Sequence, residues 1–151
     1  LRDPLDPVRE NAVIALGKLG DFARPTVPEI QAVVREGKIN ALVPSARTLW
    51  QLTRNPDIVV PVLMEDLNRP GTSPEAAAML GELGEAAKAA VPDLAKSLHS
   101  SDLLLRLAAA GALGKIGPAA RPALPDLEKI LQDESDEVRQ AAQEALKQIQ
   151  R

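Results

Sequence analysis

The chain has 151 residues, a formal net charge of −3, no cysteine and one histidine. Disulfides and thiolate zinc sites are therefore excluded, and the charge balance gives no support to a nucleic-acid partner, whose phosphates need clustered Lys and Arg. Hydrophobic residues make up 45% of the chain but aromatics only 1%, so its core must be built from Ala, Leu, Val and Ile at close helix–helix contacts.

From the N-terminus, residues 1–9 match residues 131–139 at a constant offset of 130, with identity at leucine, two aspartates, valine and arginine. Residues 1–3 then read as the tail of a second-type helix, B, of which the body is not in the chain. Asp6-Pro7 reads as N-cap and N1 of a first-type helix, A1, over 7–19, with Val8, Ala12 and Ala15 at the i, i+4, i+7 spacing of one helical face. Leu16-Gly17-Lys18-Leu19-Gly20 closes it, and both glycines of the pair read as helix termination. Helix B1 is predicted over 25–36, fixed at its start by Pro28, because a proline is tolerated in the first turn of a helix and not in its interior.

The pattern then repeats. A2 is expected over 40–54 and B2 over 57–69, with Leu49-Trp50-Gln51-Leu52-Thr53 standing where the first hairpin has its glycines. A3 follows Ser73-Pro74 over 74–83 and ends at Gly84; B3 covers 88–99. A4 covers 102–116 with Ser101 as candidate cap and Gly117 as its end, and B4 covers 121–132. A5 runs over 136–150 behind Ser135 and has no B partner. The B-helix prolines, Pro28, Pro61, Pro92 and Pro125, are spaced by 33, 31 and 33 residues, the period of a stacked repeat whose units cannot bury their apolar faces alone.

No segment alternates like a strand. The expected fold is an all-α, right-handed α-solenoid of about 4.5 helical hairpins, a single array divided near 4–37, 38–70, 71–100, 101–133 and the half unit 134–151, with Leu16, Leu49, Leu80, Leu113 and Leu146 buried at equivalent positions. Open-ended units suggest a section of a longer array, with apolar side chains exposed at one or both ends and able to support end-to-end self-association, although the Gln- and Lys-rich A5 would also serve as a cap. The lack of thiols favours the cytoplasm. No signal-like or 18-residue apolar segment stands out, so membrane insertion is not expected.

Chemistry-bearing residues are few. His99 is the single histidine and falls near the end of B3, where a surface role outweighs catalysis. The Gly-x-x-Gly pairs follow no strand and so are not phosphate loops. Arg9, Arg106 and Arg139 occupy one repeat position; a ladder of surface ion pairs, each worth little, outweighs a partner-binding row. No catalytic residue, metal ligand or cofactor is expected.

Asp6-Pro7-Val8-Arg9, Ala12, Ala15-Leu16-Gly17-Lys18-Leu19-Gly20 and Val27-Pro28-Glu29-Ile30, with their later counterparts, resemble HEAT repeats over essentially the whole chain, of the short phycobilisome-lyase-type class common in bacteria and archaea. The resemblance implies partner contacts on a concave surface lined by B helices. The rows left there are Glu29, Val62, Asp93, Asp126; Ala32, Glu65, Lys96, Lys129; and Arg35, Asn68, His99, Gln132. Acids in the first row are explained by the helix dipole, and no basic stripe or aromatic cage emerges. Trp50, in place of a helix glycine, reads as packing first and interface second. The candidate partner-binding residues are Trp50, Glu65, Asn68, Lys96, His99 and Lys129. The resemblance further implies a non-catalytic protein-binding scaffold; the alternatives are a phycobilin-lyase-like chromophore lyase subunit and, less favoured, a HEAT-like DNA-modification enzyme. The lysine-modifying iron hydroxylases of similar fold need several His-Glu pairs, which one histidine rules out.

Overall fold

The computed structural model describes residues 1, 6–69, 71 and 74–151, and in contacts it falls into two compact units, residues 1–65 and 66–151. Among the described residues every regular element is helical. The first unit holds α1 (Asp6–Lys18), α2 (Val27–Arg35), α3 (Leu42–Thr53) and most of α4 (Pro56–Leu67); the second holds α5 (Pro74–Leu83), α6 (Val91–Ser97), α7 (Leu103–Ile116), α8 (Leu124–Lys129) and α9 (Asp136–Gln150). The chain is thus an all-α run of helical hairpins of the α-solenoid class. The first-type helices α1, α3, α5, α7 and α9 fall within two residues of their sequence-derived bounds. Asp6, expected as the cap, stands first in α1, while Ser73 and residues 2 and 3 of the expected tail lie outside the described residues.

Three second-type helices, α2, α6 and α8, start later than expected. Where a loop and the first turn of B are predicted, the structure has 3-10 segments of seven residues, Gly20–Thr26, Gly84–Ala90 and Gly117–Ala123. Three residues per turn bring positions i and i+3 onto one edge. Ala87 and Ala90, and Ala120 and Ala123, occupy that edge and are buried. A glycine with φ of 58° to 72° opens each segment, where a side chain would clash with the backbone. Pro28, Pro92 and Pro125 then stand second in α2, α6 and α8.

Pro61 breaks this rule, because it lies inside α4. No 3-10 segment precedes α4; Arg54 takes a left-handed conformation at φ 51°, Asn55 Oδ1 accepts from the Asp57 amide (2.9 Å), and Pro56 starts the helix. The helix is therefore extended backwards past the repeat position. Val62, expected on the exposed face, is buried as a result. Ser135 caps α9 as expected, its hydroxyl accepting from the Val138 amide at 3.4 Å. Ser101 does not cap α7; Asp102 does, through the Leu104 amide at 2.9 Å.

Only the second glycine of each pair ends a helix. The first is a contact point: a Cβ at Gly81 would lie 2.8 Å from Ala112 Cα, one at Gly114 3.0 Å from Ala145 Cα, and one at Gly17 2.9 Å from Thr48 Oγ1. In the second unit α5, α7 and α9 accordingly lie side by side with α7 in the middle. In the first, α3 is held on α1 by the Thr48 hydroxyl, which donates to the Val13 carbonyl (3.2 Å).

Leu49, Leu80 and Leu113 are fully buried, whereas Leu16 and Leu146 are half-buried. The Val8, Ala12, Ala15 face also departs from expectation. Its equivalents Leu105, Ala109, Ala112 and Val138, Ala142, Ala145 are buried, because α6 packs on α7 and α8 on α9 and because Ala112 meets Gly81 of α5 and Ala145 meets Gly114 of α7. Val8 and Ala15 are exposed and Ala12 half-buried, since no described helix precedes α1. Ile14, Leu19 and Phe22 are exposed there too, while the outer face of α9 is largely polar, so apolar exposure at the ends is confined to one terminal hairpin.

The apolar stretch Leu103–Gln132, contrary to the sequence reading, passes for a membrane span by length and composition. It is not one helix: Gly117 at φ 72° interrupts it after the 14 residues of α7, short of the roughly 20 a span requires.

Two glycine substitutions should move stability in opposite directions. Gly81→Ala should cost about 1–3 kcal/mol, because its methyl meets backbone. Gly111→Ala, whose Cβ would meet nothing within 4 Å, should gain up to about 1 kcal/mol from helix propensity. Thermal unfolding of the two variants beside the parent checks both signs.

Candidate functional site

The helix α6 opens at Val91-Pro92 and α8 at Leu124-Pro125, so equal register sets the first turns of both helices side by side on one face of the second unit. Asp93 and Asp126 stand in those first turns, where the positive end of the helix dipole favours a carboxylate. One turn on, Lys96 Nζ lies 3.0 Å from Asp93 Oδ1 and Lys129 Nζ 2.9 Å from Asp126 Oδ1. His99 reaches across from the end of α6, its Nε2 3.1 Å from the same Asp126 Oδ1. Lys129, and then His99, hold the Asp126 carboxyl below the usual carboxylate range. A shallow groove of about 330 Å³ runs between the helices, floored by Val91, Pro92 and Pro122 and rimmed by Lys96, His99 and Asp126.

Three of the sequence-derived partner residues, Lys96, His99 and Lys129, are thus brought together. The others are not. Glu65 lines a separate groove of about 230 Å³ in the first unit, with Gln31, Arg35 and Pro61. Asn68 lies on neither groove. Trp50 is half-buried on α3, its ring 5.6 Å from the Arg54 guanidinium carbon, a cation–π contact within its own helix end.

The α6–α8 groove combines an apolar lining with an ammonium, an imidazole and a carboxylate. His99 and Asp126 form a dyad; of the hydroxyls close by in sequence, Ser100 accepts from the Asp102 amide (3.1 Å) and Ser97 is buried and donates to the Asp93 carbonyl (3.0 Å). Among the described residues no group of three His, Asp or Glu side chains could hold a metal ion.

Two of the three arginines of the row are withdrawn from solvent, and Arg139 is partly exposed and pairs with Asp136. Arg9 and Arg106 are buried, at 8% and 7% exposure, so the expected surface ladder is an internal one. Arg139 Nη1 donates to the carbonyls of Asp133 and Glu134, and Arg106 Nη1 to those of Ser100 and Ser101, five and six residues back in each case. Arg9 Nε donates to the Lys38 carbonyl (2.6 Å). Each arginine fastens a loop between hairpins. Arg106 also pairs with the loop that closes its own hairpin, its Nε 2.9 Å from Asp133 Oδ2 and its Nη2 3.0 Å from Oδ1. Asp133 is the partner that sequence reasoning missed, although its place one residue after B4 marks it as a loop acid at the close of the hairpin that Arg106 opens.

Asp133 accepts from the Ser135 amide and is held below its ordinary value, first by that bond and then by Arg106. A carboxyl depressed on folding stabilises the protein above its unfolded value of 3.8 and loses that contribution as pH falls through the lower folded value. Asp133→Asn should therefore cost about 1–2 kcal/mol at pH 7, because Arg106 loses its nearer carboxylate and keeps Glu134, 3.4 Å away, and the loop carbonyls. The gap to the parent should narrow below pH 3.8. Denaturant unfolding of the two proteins between pH 7 and pH 3 measures it.

A family model described as HEAT repeats matches residues 60–147, more than half of the chain, and one described as PBS lyase HEAT-like repeat matches residues 8–36. No curated protein matches the chain.

Proposed function

We propose that this chain, which belongs to the HEAT-repeat family, is a non-catalytic scaffold that binds another protein along the α6–α8 groove. The observation that supports this reading most is the charge arrangement there. Lys96 and Lys129 are paired to Asp93 and Asp126 at exposed sites, where an ion pair is worth about 1 kcal/mol or less, so either lysine can be redirected to a partner carboxylate at small cost. Pro92 and Pro122 give the groove a rigid apolar floor. An extended segment with apolar and acidic residues in alternation fits both features.

A chromophore-lyase role is a second reading, favoured by the description of the family model at residues 8–36. It predicts an absorbance shift when a linear tetrapyrrole is mixed with the protein. The scaffold reading predicts none.

The test of the scaffold is affinity capture with the parent and with Lys96→Ala/His99→Ala/Lys129→Ala, each beside a melting curve. The expected outcome is at least tenfold loss of the captured protein with a Tm within about 2 °C, since surface substitutions rarely exceed ~0.5 kcal/mol each. Unchanged capture by the triple variant would count against this face. Trp50→Ala is expected to lower Tm by several degrees and keep the partner, as a packing residue should.

A further inference from the structure

A solenoid helix buries one stripe and turns a polar one to water. The middle helix α7 does not. Its inner side, Leu105, Ala109, Ala112, Leu113 and Ile116, is buried, but its outer side is apolar as well. Leu103 and Leu104 are 41% and 60% exposed, and Leu107, Ala108 and Gly111 are partly exposed. The repeat supplies its own control. At the positions 33 residues on, α9 carries Asp136, Glu137, Gln140 and Glu144 in place of the three leucines and the glycine, and only Ala108 keeps its type, as Ala141. Stacking therefore does not require the leucines to be apolar.

The strip is also small in the middle and bordered by acids. Nothing stands within 4 Å of where a Cβ on Gly111 would be, and Ala78 on α5 is exposed at the equivalent position, so another backbone can approach closely. Exposed glutamates flank the strip on both sides, Glu75 and Glu82 on α5 and Glu137 and Glu144 on α9. Among the described residues Lys115 and Lys147 are the exposed cations on α5, α7 and α9.

We infer that the outer face of α7 is a docking surface for a basic amphipathic helix of another protein. Apolar side chains at i, i+3 or i+4 and i+7 of such a helix match the three turns marked by Leu104, Leu107 or Ala108, and Gly111. Lysines or arginines beside them meet the glutamate borders. Charge decides against the other occupants: a second copy of this chain would set glutamates against glutamates, and an anionic membrane surface would be repelled. The surface is distinct from the α6–α8 groove, so either can fail alone.

The probe is a labelled 15-residue helical peptide of Leu and Lys with its leucines on one face, titrated into the whole chain and followed by anisotropy. Leu104→Glu should weaken binding at least tenfold. The added carboxylate would strengthen a merely electrostatic association, so this loss cannot arise from charge alone. Glu144→Lys should weaken binding and flatten its salt dependence, Lys96→Ala should leave it unchanged, and the Leu-Glu counterpart peptide should not bind. Equal binding by the parent and Leu104→Glu would overturn the proposal. So would binding to phosphatidylserine vesicles in place of the peptide, or sedimentation as a dimer that Leu104→Glu disperses.

Discussion

Close contact between neighbouring first-type helices is the constraint on which the second unit depends. Gly81 against Ala112 and Gly114 against Ala145 leave no room for a Cβ, and this contact sets both the spacing of α5, α7 and α9 and the direction each helix presents outward. A core with 1% aromatics can be solid only at such distances. Every other feature is arranged around it. The 3-10 segments return the chain along an edge of buried alanines, and the second-type helices close the inner side.

Polar chemistry in this framework is mostly architectural. The arginine that recurs on the first-type helices has the spacing of a recognition row, yet Arg9 and Arg106 are almost wholly withdrawn from water and satisfy loop carbonyls that would otherwise be unpaired. What remains for recognition is what the repeat does not use. On the inner side that is the Lys96, His99, Asp126 and Lys129 network, and on the outer side the leucines of α7. The two differ in physical kind, one a rigid groove with exchangeable charge pairs, the other an apolar strip with carboxylate borders.

Some of this was legible in the residues and some was not. Helix type and period followed from glycine, proline and leucine spacing, because those residues act through local backbone geometry and helical periodicity. The role of Gly17, Gly81 and Gly114 was misread, since a glycine needed for a neighbour's approach looks the same in sequence as one that ends a helix. Pro61 was misplaced for a related reason: Arg54 and Asn55 restart the helix upstream, and a left-handed arginine leaves no mark in composition. Of the six candidate partner residues, the three that meet are Lys96 and Lys129, in equal register on α6 and α8, and His99 just past the end of α6. Trp50, Glu65 and Asn68 belong to or follow the hairpin that departs from the pattern, so counting along the repeat could not place them together.

By itself the sequence determined the class of fold, the period, the ends of the first-type helices and the absence of thiol chemistry, because each depends on residue type and short-range spacing. Only the tertiary structure decided that Arg106 reaches Asp133 from one end of a hairpin to the other, that Val8 is exposed where Leu105 is buried, and that the outer leucines of α7 stand between two rows of glutamates. Those facts depend on which helix lies beside which, and no local pattern carries that information.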